Sequence, residues 1–169
     1  MSDPAIRPAR VDDCPAIHAM VRELAEFERL ADQHVATVVD LRLGLFGLRP
    51  AAEAMVAEIA GDVVGFALVF ATYSTFLGKS GLWLEDLYVR PAFRGQGIGR
   101  SLLLHVAALA RERGCGRLEW AVLDWNTRAI DLYRSLGAVP LGDWTTMRLT
   151  GAALDGAGLT PSGDPAPAG

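Results

Sequence analysis

A glycine-rich turn between a strand and a helix is the feature that most constrains the fold of this chain. The turn reads Arg94-Gly95-Gln96-Gly97-Ile98-Gly99; it follows an apolar strand at 81–89 and leads into a helix from about Gly97. Glycines let the backbone adopt positive φ and approach a ligand closely. The unpaired N–H groups and positive dipole end of the next helix favour a phosphate. The turn therefore predicts a β-turn-α unit that binds a phosphate-bearing ligand.

The two common nucleotide-binding motifs do not account for this turn. A Rossmann fingerprint has G-x-G-x-x-G early in the fold, whereas these glycines alternate and lie in mid-chain. A P-loop requires Gly-Lys-Ser/Thr, which the sequence lacks. A purely structural turn is the alternative, but it does not need three glycines at alternate positions.

Apolar periodicity along the rest of the chain predicts a mixed α/β sheet. Predicted helices span about 12–30, 38–46, 97–113 and 126–136, the first capped by Asp12 and the second by a Thr37/Asp40 capping box. Predicted strands span about 5–9, 54–60, 63–73, 81–89, 118–123 and 144–149. Hairpin-linked strands come first and βαβ units later, which predicts a mostly antiparallel sheet flanked by helices.

The domain organisation follows from the composition of the C-terminal segment. Residues 1–150 are predicted to form one domain. Residues 151–169 are rich in Gly, Ala and Pro and contain no aromatic residue. A segment of this composition cannot bury enough apolar surface to offset its chain entropy, so we predict a flexible tail.

Charge and cysteine content narrow the classes of partner. With 16 basic and 20 acidic residues the net charge is −4, which argues against a nucleic-acid partner and favours a cationic small molecule. Cys14 and Cys115 lie in no CxxC motif or Cys/His cluster, so we predict no metal site. The sequence has no signal-peptide pattern and no apolar run that could span a membrane, which predicts a cytoplasmic protein.

Two further patterns point to a reaction site. Glu85 and Asp86 are adjacent in an apolar strand, so their side chains would face opposite sides of the sheet and at least one would be protected from water. Burial raises the pKa of a carboxyl group and makes it a usable proton acceptor; the alternative is an acid facing solvent at a strand edge. Tyr133 follows Asn126 by two helical turns, a position that more often belongs to a core than to catalysis.

Taken together, these patterns resemble the GNAT acetyltransferase superfamily. Its acetyl-CoA loop, Arg/Gln-x-x-Gly-x-Gly/Ala, is matched by Arg94, Gly97 and Gly99. Its Asn-x-x-Ala-x-x-x-Tyr signature is matched by Asn126, Ala129 and Tyr133. Over about residues 4–150 the chain also resembles the diamine (spermidine/spermine) acetyltransferases and the related thialysine acetyltransferases. The stretches that carry this closer likeness include Ile6–Ala9, Glu23–Ala25, Tyr73–Thr75, Leu84–Asp86 and Ala121–Asn126.

The resemblance implies that acetyl-CoA is the co-substrate. Backbone of β-strand residues would pair with the pantetheine, amides of the glycine-rich turn would bind the pyrophosphate, and the start of the last helix would line the other side. The implied cofactor-binding residues are Leu87, Tyr88, Val89, Arg94, Gly95, Gln96, Gly97, Ile98, Gly99, Arg100, Asn126, Thr127, Arg128 and Ala129.

The resemblance also implies a direct attack of the amine on the thioester in a ternary complex, without an acyl-enzyme. Glu85 would accept the amine proton, directly or through water, and Tyr133 would protonate the leaving thiolate. The acceptor would be held by charge and cation–π contacts. The implied acceptor-binding residues are Phe27, Glu28, Glu85, Glu119, Trp120, Ala121, Asp143 and Trp144.

The sequence constrains the identity of the acceptor amine less than it constrains the co-substrate. Neutral Ser74 and Thr75 favour the zwitterionic head of a lysine-like amino acid such as thialysine over a polyamine. A GNAT enzyme acting on a protein or peptide amine and a non-catalytic acetyl-CoA sensor are the other classes that we considered. The resemblance further implies a homodimer.

Overall fold

The computed structural model describes residues 4–156. The chain forms two compact units, Met1–Leu132 and Tyr133–Gly169. Residues 157–169, most of the predicted tail, lie outside the described residues. The predicted boundary at residue 150 therefore stays a prediction.

A five-stranded sheet forms the centre of the first unit. Its order is β1-β2-β3-β4-β5; neighbouring strands are antiparallel except β4 and β5, which are parallel. This arrangement confirms the predicted mostly antiparallel sheet. The strands are β1 Ala5–Pro8, β2 Glu53–Ile59, β3 Asp62–Ser74, β4 Lys79–Val89 and β5 Leu118–Trp120.

Helices flank the sheet as the periodicity predicts. The helices of the first unit are α1 Cys14–Phe27, α2 Val38–Phe46 and α3 Ile98–Glu112. Helix α4, Thr127–Ser135, crosses the boundary between the units, and α5, Gly151–Asp155, belongs to the second unit. The capping box of α2 is confirmed, because Thr37 accepts a hydrogen bond from the Asp40 N–H and Asp40 accepts one from the Thr37 N–H. The short helix α5 lies inside the segment predicted to be a flexible tail.

A buried hydrophobic core lies between α1, α2 and the central strands. Ile17 and Met20 of α1 pack with Val56 and Phe66 of the sheet, and all four are fully buried. Burying each of these large side chains contributes about 1.5–3 kcal/mol. This packing fixes α1 against β3 and β4, the strands that carry the candidate site.

Two details differ from the sequence prediction. Asp12 does not cap α1: a 3-10 turn precedes the helix, and the carboxylate of Asp13 accepts hydrogen bonds from the Arg10 N–H and from the Arg7 guanidinium. The predicted strand at 144–149 is also wrong, since these residues have neither helical nor strand structure. The Trp144 N–H donates to the Leu141 carbonyl 3.3 Å away, which is a turn contact rather than a ladder bond.

Candidate active site

The glycine-rich turn has the backbone geometry that the sequence predicts. Gly95 and Gly97 have φ of +82° and +78°, a conformation that L side chains rarely adopt. Gly97 caps α3 without any side-chain hydrogen bond, and the first intrahelical bond runs from the Ser101 N–H to the Gly97 carbonyl, 2.9 Å. The helical N–H groups of residues 98–100 precede that bond and have no intrahelical acceptor. N–H groups free at a helix start in this way can bind an anion.

Open space lies in front of this turn. A Cβ placed on either Gly95 or Gly97 would meet no heavy atom within 4 Å, and Gln96 between them is exposed. The glycines are therefore not required by contacts within the first unit. They leave room for a ligand to approach the backbone closely, which a turn with a purely structural role does not need.

Arg94 ties the turn to the sheet and to α1. Its Nε donates to the Val89 carbonyl, 2.8 Å, at the end of β4. Its guanidinium carbon lies 5.2 Å from the Phe27 ring centroid and 5.1 Å from that of Tyr88. Phe27 was predicted to bind the acceptor amine. Its ring contacts Arg94 and also Trp125, and the centroids of the Phe27 and Trp125 rings lie 5.4 Å apart. Trp125 thus joins the group of contacting side chains around Arg94, and the sequence analysis did not identify it as a site residue.

A bulge in β4 separates the two adjacent carboxylates. Asp86 pairs with Leu68 and Leu84 pairs with Val69, so Glu85 has no partner on β3. Bulges bend a strand and re-aim its side chains, and they are frequent beside active sites. Glu85 is exposed, and its carboxylate accepts a hydrogen bond of 2.9 Å from the Trp83 indole N–H.

Asp86 is the more protected of the two acids. Burial, together with the nearby negative charges of Glu85 and Glu28, raises the pKa of Asp86 to about 6. Burial also raises the pKa of Glu28, which lies at the C-terminal end of α1. These three carboxyl groups form the acidic cluster of the site. The cluster is suited to an ammonium group, and Asp86 can exchange a proton near neutral pH.

Sequence reasoning missed Asp86 as a site residue, although it did predict that one of the two acids would be protected. The choice of Glu85 came from the family resemblance alone. The raised pKa of Asp86 depends on burial and on the charge of Glu28, far away in the chain, and local sequence gives no signal for it.

The remaining cofactor-binding candidates lie at the end of β4 and at the starts of α3 and α4. Leu87, Tyr88 and Val89 end β4 directly before the turn, and Ile98, Gly99 and Arg100 open α3. Asn126 caps α4, since its Oδ1 accepts a hydrogen bond from the Ala129 N–H, 3.3 Å. Thr127 and Arg128 form the first turn of α4.

The acceptor-binding candidates are more dispersed. Phe27 and Glu28 end α1, and Glu119 and Trp120 lie on β5, where Glu119 forms an ion pair with Arg117 at 2.7 Å. Ala121 follows β5 and is exposed. Tyr133, Asp143 and Trp144 belong to the second unit, so their part in the site stays a prediction.

The described part of the chain offers neither a cluster of metal ligands nor a helix that could span a membrane. Among residues 4–156, no group of three or more His, Cys, Asp or Glu side chains could hold a metal ion. Within the same part of the chain, the helices are too short or too polar to cross a membrane.

A mostly antiparallel sheet with a glycine-rich turn between its fourth strand and a helix is the arrangement expected of an acyl-CoA-dependent transferase. The sequence matches the GNAT acetyltransferase family over residues 17–138. The chain belongs to the GNAT acetyltransferase family. GNAT acetyltransferases use acetyl-CoA, and the prediction of an acetyl-transferring enzyme is confirmed.

Several similar proteins are named as acetyltransferases of small amines. Thialysine N-epsilon-acetyltransferase of Bos taurus is 43% identical over 160 residues, which cover 88% of this chain and 94% of that protein. L-ornithine N5-acetyltransferase NATA1 of Arabidopsis thaliana is 34% identical over 88% of this chain and 85% of that protein. Spermidine/spermine N(1)-acetyltransferase-like protein 1 of Homo sapiens is 36% identical over 80% of this chain and 20% of that protein.

A solved structure confirms the fold class. An integron cassette protein from the mobile metagenome of V. cholerae superposes with a TM-score of 0.76 at 25% identity, covering 92% of this chain and 97% of that one.

Proposed function

We propose that this protein transfers the acetyl group of acetyl-CoA to the terminal primary amine of a small, lysine-like amino acid such as thialysine. The observation that carries the proposal is the acidic cluster of Glu28, Glu85 and Asp86, on and beside the strand that leads into the glycine-rich turn. Relatives named for thialysine and for L-ornithine, both amino acids with a terminal amine, support this class of acceptor.

The turn fits the pyrophosphate of coenzyme A. The N–H groups at the start of α3 would hold the pyrophosphate, and the open space over Gly95 and Gly97 would admit it. The backbone of residues 87–89 would hold the pantetheine as an added strand. When bound, acetyl-CoA supplies an electrophilic thioester carbonyl for the amine to attack.

The acidic cluster removes the proton that prevents this attack. A primary amine is mostly protonated at pH 7 and is not a nucleophile until the proton leaves. Glu85 is the acceptor implied by the family resemblance, whereas Asp86 is the carboxylate whose pKa lies near 6. Both can attract the ammonium group, and only one needs to take its proton.

Rate profiles against pH distinguish the two acids. A base must be ionised, so if Asp86 is the base, kcat/KM rises with pH through about 6. Asp86→Asn should then remove this limb and Glu85→Gln should keep it; the opposite result would assign the proton to Glu85. Tyr133 remains the predicted acid for the leaving thiolate on sequence grounds alone.

The acceptor class is tested by comparing thialysine, spermidine and a lysine-containing peptide as substrates of the wild-type protein. We expect the highest kcat/KM with thialysine. A tenfold or greater preference for spermidine, about 1.4 kcal/mol of transition-state binding, would overturn the proposal. Spermidine is the second candidate, because three carboxyl groups in one cluster also suit a polycation.

Two further parts of the proposal concern the context of the enzyme. We further propose, on the grounds given in the sequence analysis, that the enzyme is a cytoplasmic homodimer that needs no metal. Light scattering of the purified protein should give a mass of about 36 kDa, twice the 18.1 kDa of one chain. A monomer of full activity would contradict the dimer.

A further inference from the structure

Glu23 of α1 takes no part in the proposed acetyl transfer, yet both of its carboxylate oxygens have partners at the end of β4. Its Oε2 accepts a hydrogen bond from the Tyr88 hydroxyl, 3.2 Å, and its Oε1 lies 3.3 Å from the Arg90 Nε. That Nε is buried and makes no hydrogen bond within the described residues, so the contact with Arg90 is an ion pair without directional geometry. Glu23 thus attaches α1 to the strand end that directly precedes the glycine-rich turn.

The Tyr88 side chain contacts Glu23 at its hydroxyl and Arg94 at its ring. Tyr88 is buried, with 5% exposed; burial and Glu23 raise the pKa of its hydroxyl, whereas Arg94 acts to lower it. The Arg94 guanidinium carbon lies 5.1 Å from the Tyr88 ring centroid and 5.2 Å from that of Phe27, one helical turn after Glu23. These are cation–π distances. Because hydrogen bonds polarise one another, a phenol that donates to a carboxylate attracts a cation more strongly.

Arg94 carries a positive charge that no carboxylate of residues 4–156 neutralises, since the ion pairs of this part of the chain do not include it. Its Nε donates to the Val89 carbonyl, so the strand end and the two rings together fix the guanidinium at the start of the turn. The helix that follows the turn begins with N–H groups that have no intrahelical acceptor. A cation beside such N–H groups attracts a polyanion such as the pyrophosphate of coenzyme A.

We propose that Glu23 is a positioning residue of the coenzyme A site, which through the Tyr88 hydroxyl holds Arg94 at the start of the glycine-rich turn. The inference rests on the proposed binding of the coenzyme A pyrophosphate at this turn. Coulomb's law by itself gives the opposite expectation for Glu23, because removing a negative charge near a polyanion strengthens the binding of that polyanion. A positioning role and a simple charge effect therefore differ in sign.

Calorimetric titration with coenzyme A measures this sign. For Glu23→Ala we expect the Kd to rise about three- to tenfold, as for the loss of one hydrogen bond. Tyr88→Phe, which keeps the ring and removes the hydroxyl, should show a rise of similar size. Glu23→Gln, which keeps an acceptor for the hydroxyl, should restore part of the affinity. Glu26→Ala, which removes an exposed charge from the same helix, is the matched control and should leave the Kd within twofold.

A double-mutant cycle determines whether Glu23 acts through Arg94. Met in place of Arg94 can still pack on the two rings but has no charge to position. In the Arg94→Met background, Glu23→Ala should therefore change the Kd for coenzyme A by less than twofold. In steady-state kinetics with the otherwise wild-type chain, we expect Glu23→Ala to raise KM for acetyl-CoA and to leave kcat within twofold, because the acidic cluster is untouched.

Two results would overturn this role: a Kd for Glu23→Ala that rises less than threefold, or an equal loss in the Arg94→Met background, which would indicate only a looser α1. If Glu23→Ala does not fold, the same cycle with Tyr88→Phe decides between these outcomes. A wild type that binds no coenzyme A would refute both this role and the proposed function. If the wild type and the variants bind coenzyme A as expected but the wild type acetylates no amine, the role of Glu23 stands and the proposed reaction fails.

Discussion

Replacing Asp86 by Asn should stabilise the protein at pH 8 and change its stability little at pH 4. Asn has nearly the same shape as Asp and carries no charge, so the variant removes the cost of an ionised carboxylate beside Glu28 and Glu85. The structure gives the size of this cost, because burial and the two neighbouring acids raise the pKa of Asp86 from 3.8 to about 6.

The sign and the pH window follow from linkage. A folded-state pKa above the unfolded value means that the folded protein binds the proton more tightly. The neutral carboxyl therefore contributes stability that is fully present below about pH 3.8 and is lost as the pH rises through about 6. A shift of about two units corresponds to about 3 kcal/mol at pH 8, as an upper estimate. For a chain of this size that is roughly 6–12 °C in Tm.

Urea denaturation followed by tryptophan fluorescence at pH 4 and pH 8 measures the effect. We expect the free energy of unfolding of Asp86→Asn to exceed that of the wild type at pH 8 only. Asp62→Asn, at an exposed carboxylate, is the matched control and should change stability little at either pH. An equal gain at both pH values, or no gain at pH 8, would refute a desolvated Asp86. If Asp86→Asn also loses activity, the wild-type protein keeps an acid at this position for function although the acid lowers its stability.

The remaining predictions concern single side chains. Tyr133→Phe should lower kcat about 10²–10⁴-fold with little change in acceptor KM, and a wild-type kcat would remove Tyr133 from the mechanism. Gly97→Val should abolish coenzyme A binding in calorimetry, whereas Gly78→Val, also at a positive φ with open space around it, should bind normally. Arg7→Leu should cost about 3 kcal/mol in urea denaturation at pH 7, because it leaves the Asp13 carboxylate buried without its 2.7 Å partner. Since Arg7 lowers the pKa of Asp13, that loss should shrink as Asp13 protonates in acid.

The sequence by itself determined the features that depend on a few neighbouring residues. The Thr37/Asp40 capping box and the glycine-rich turn at residues 94–99 both form as predicted. In each case the decisive interaction or dihedral angle lies within one turn of chain. Apolar periodicity likewise predicted the helices α1 and α3, and alternation with a tight turn predicted the hairpin of β2 and β3, because burial of one face repeats with the period of the element.

Only the tertiary structure decided which acid of the Glu85–Asp86 pair is protected. Strict alternation places the two side chains on opposite faces, but the pairing of β4 with β3 leaves Glu85 in a bulge. Burial raises the pKa of Asp86, and the negative charge of Glu28 at the end of α1 adds to that shift. The absence of a strand at 144–149 is decided in the same way. Desolvation and strand pairing are sums over contacts between residues far apart in the chain, so no local pattern encodes them.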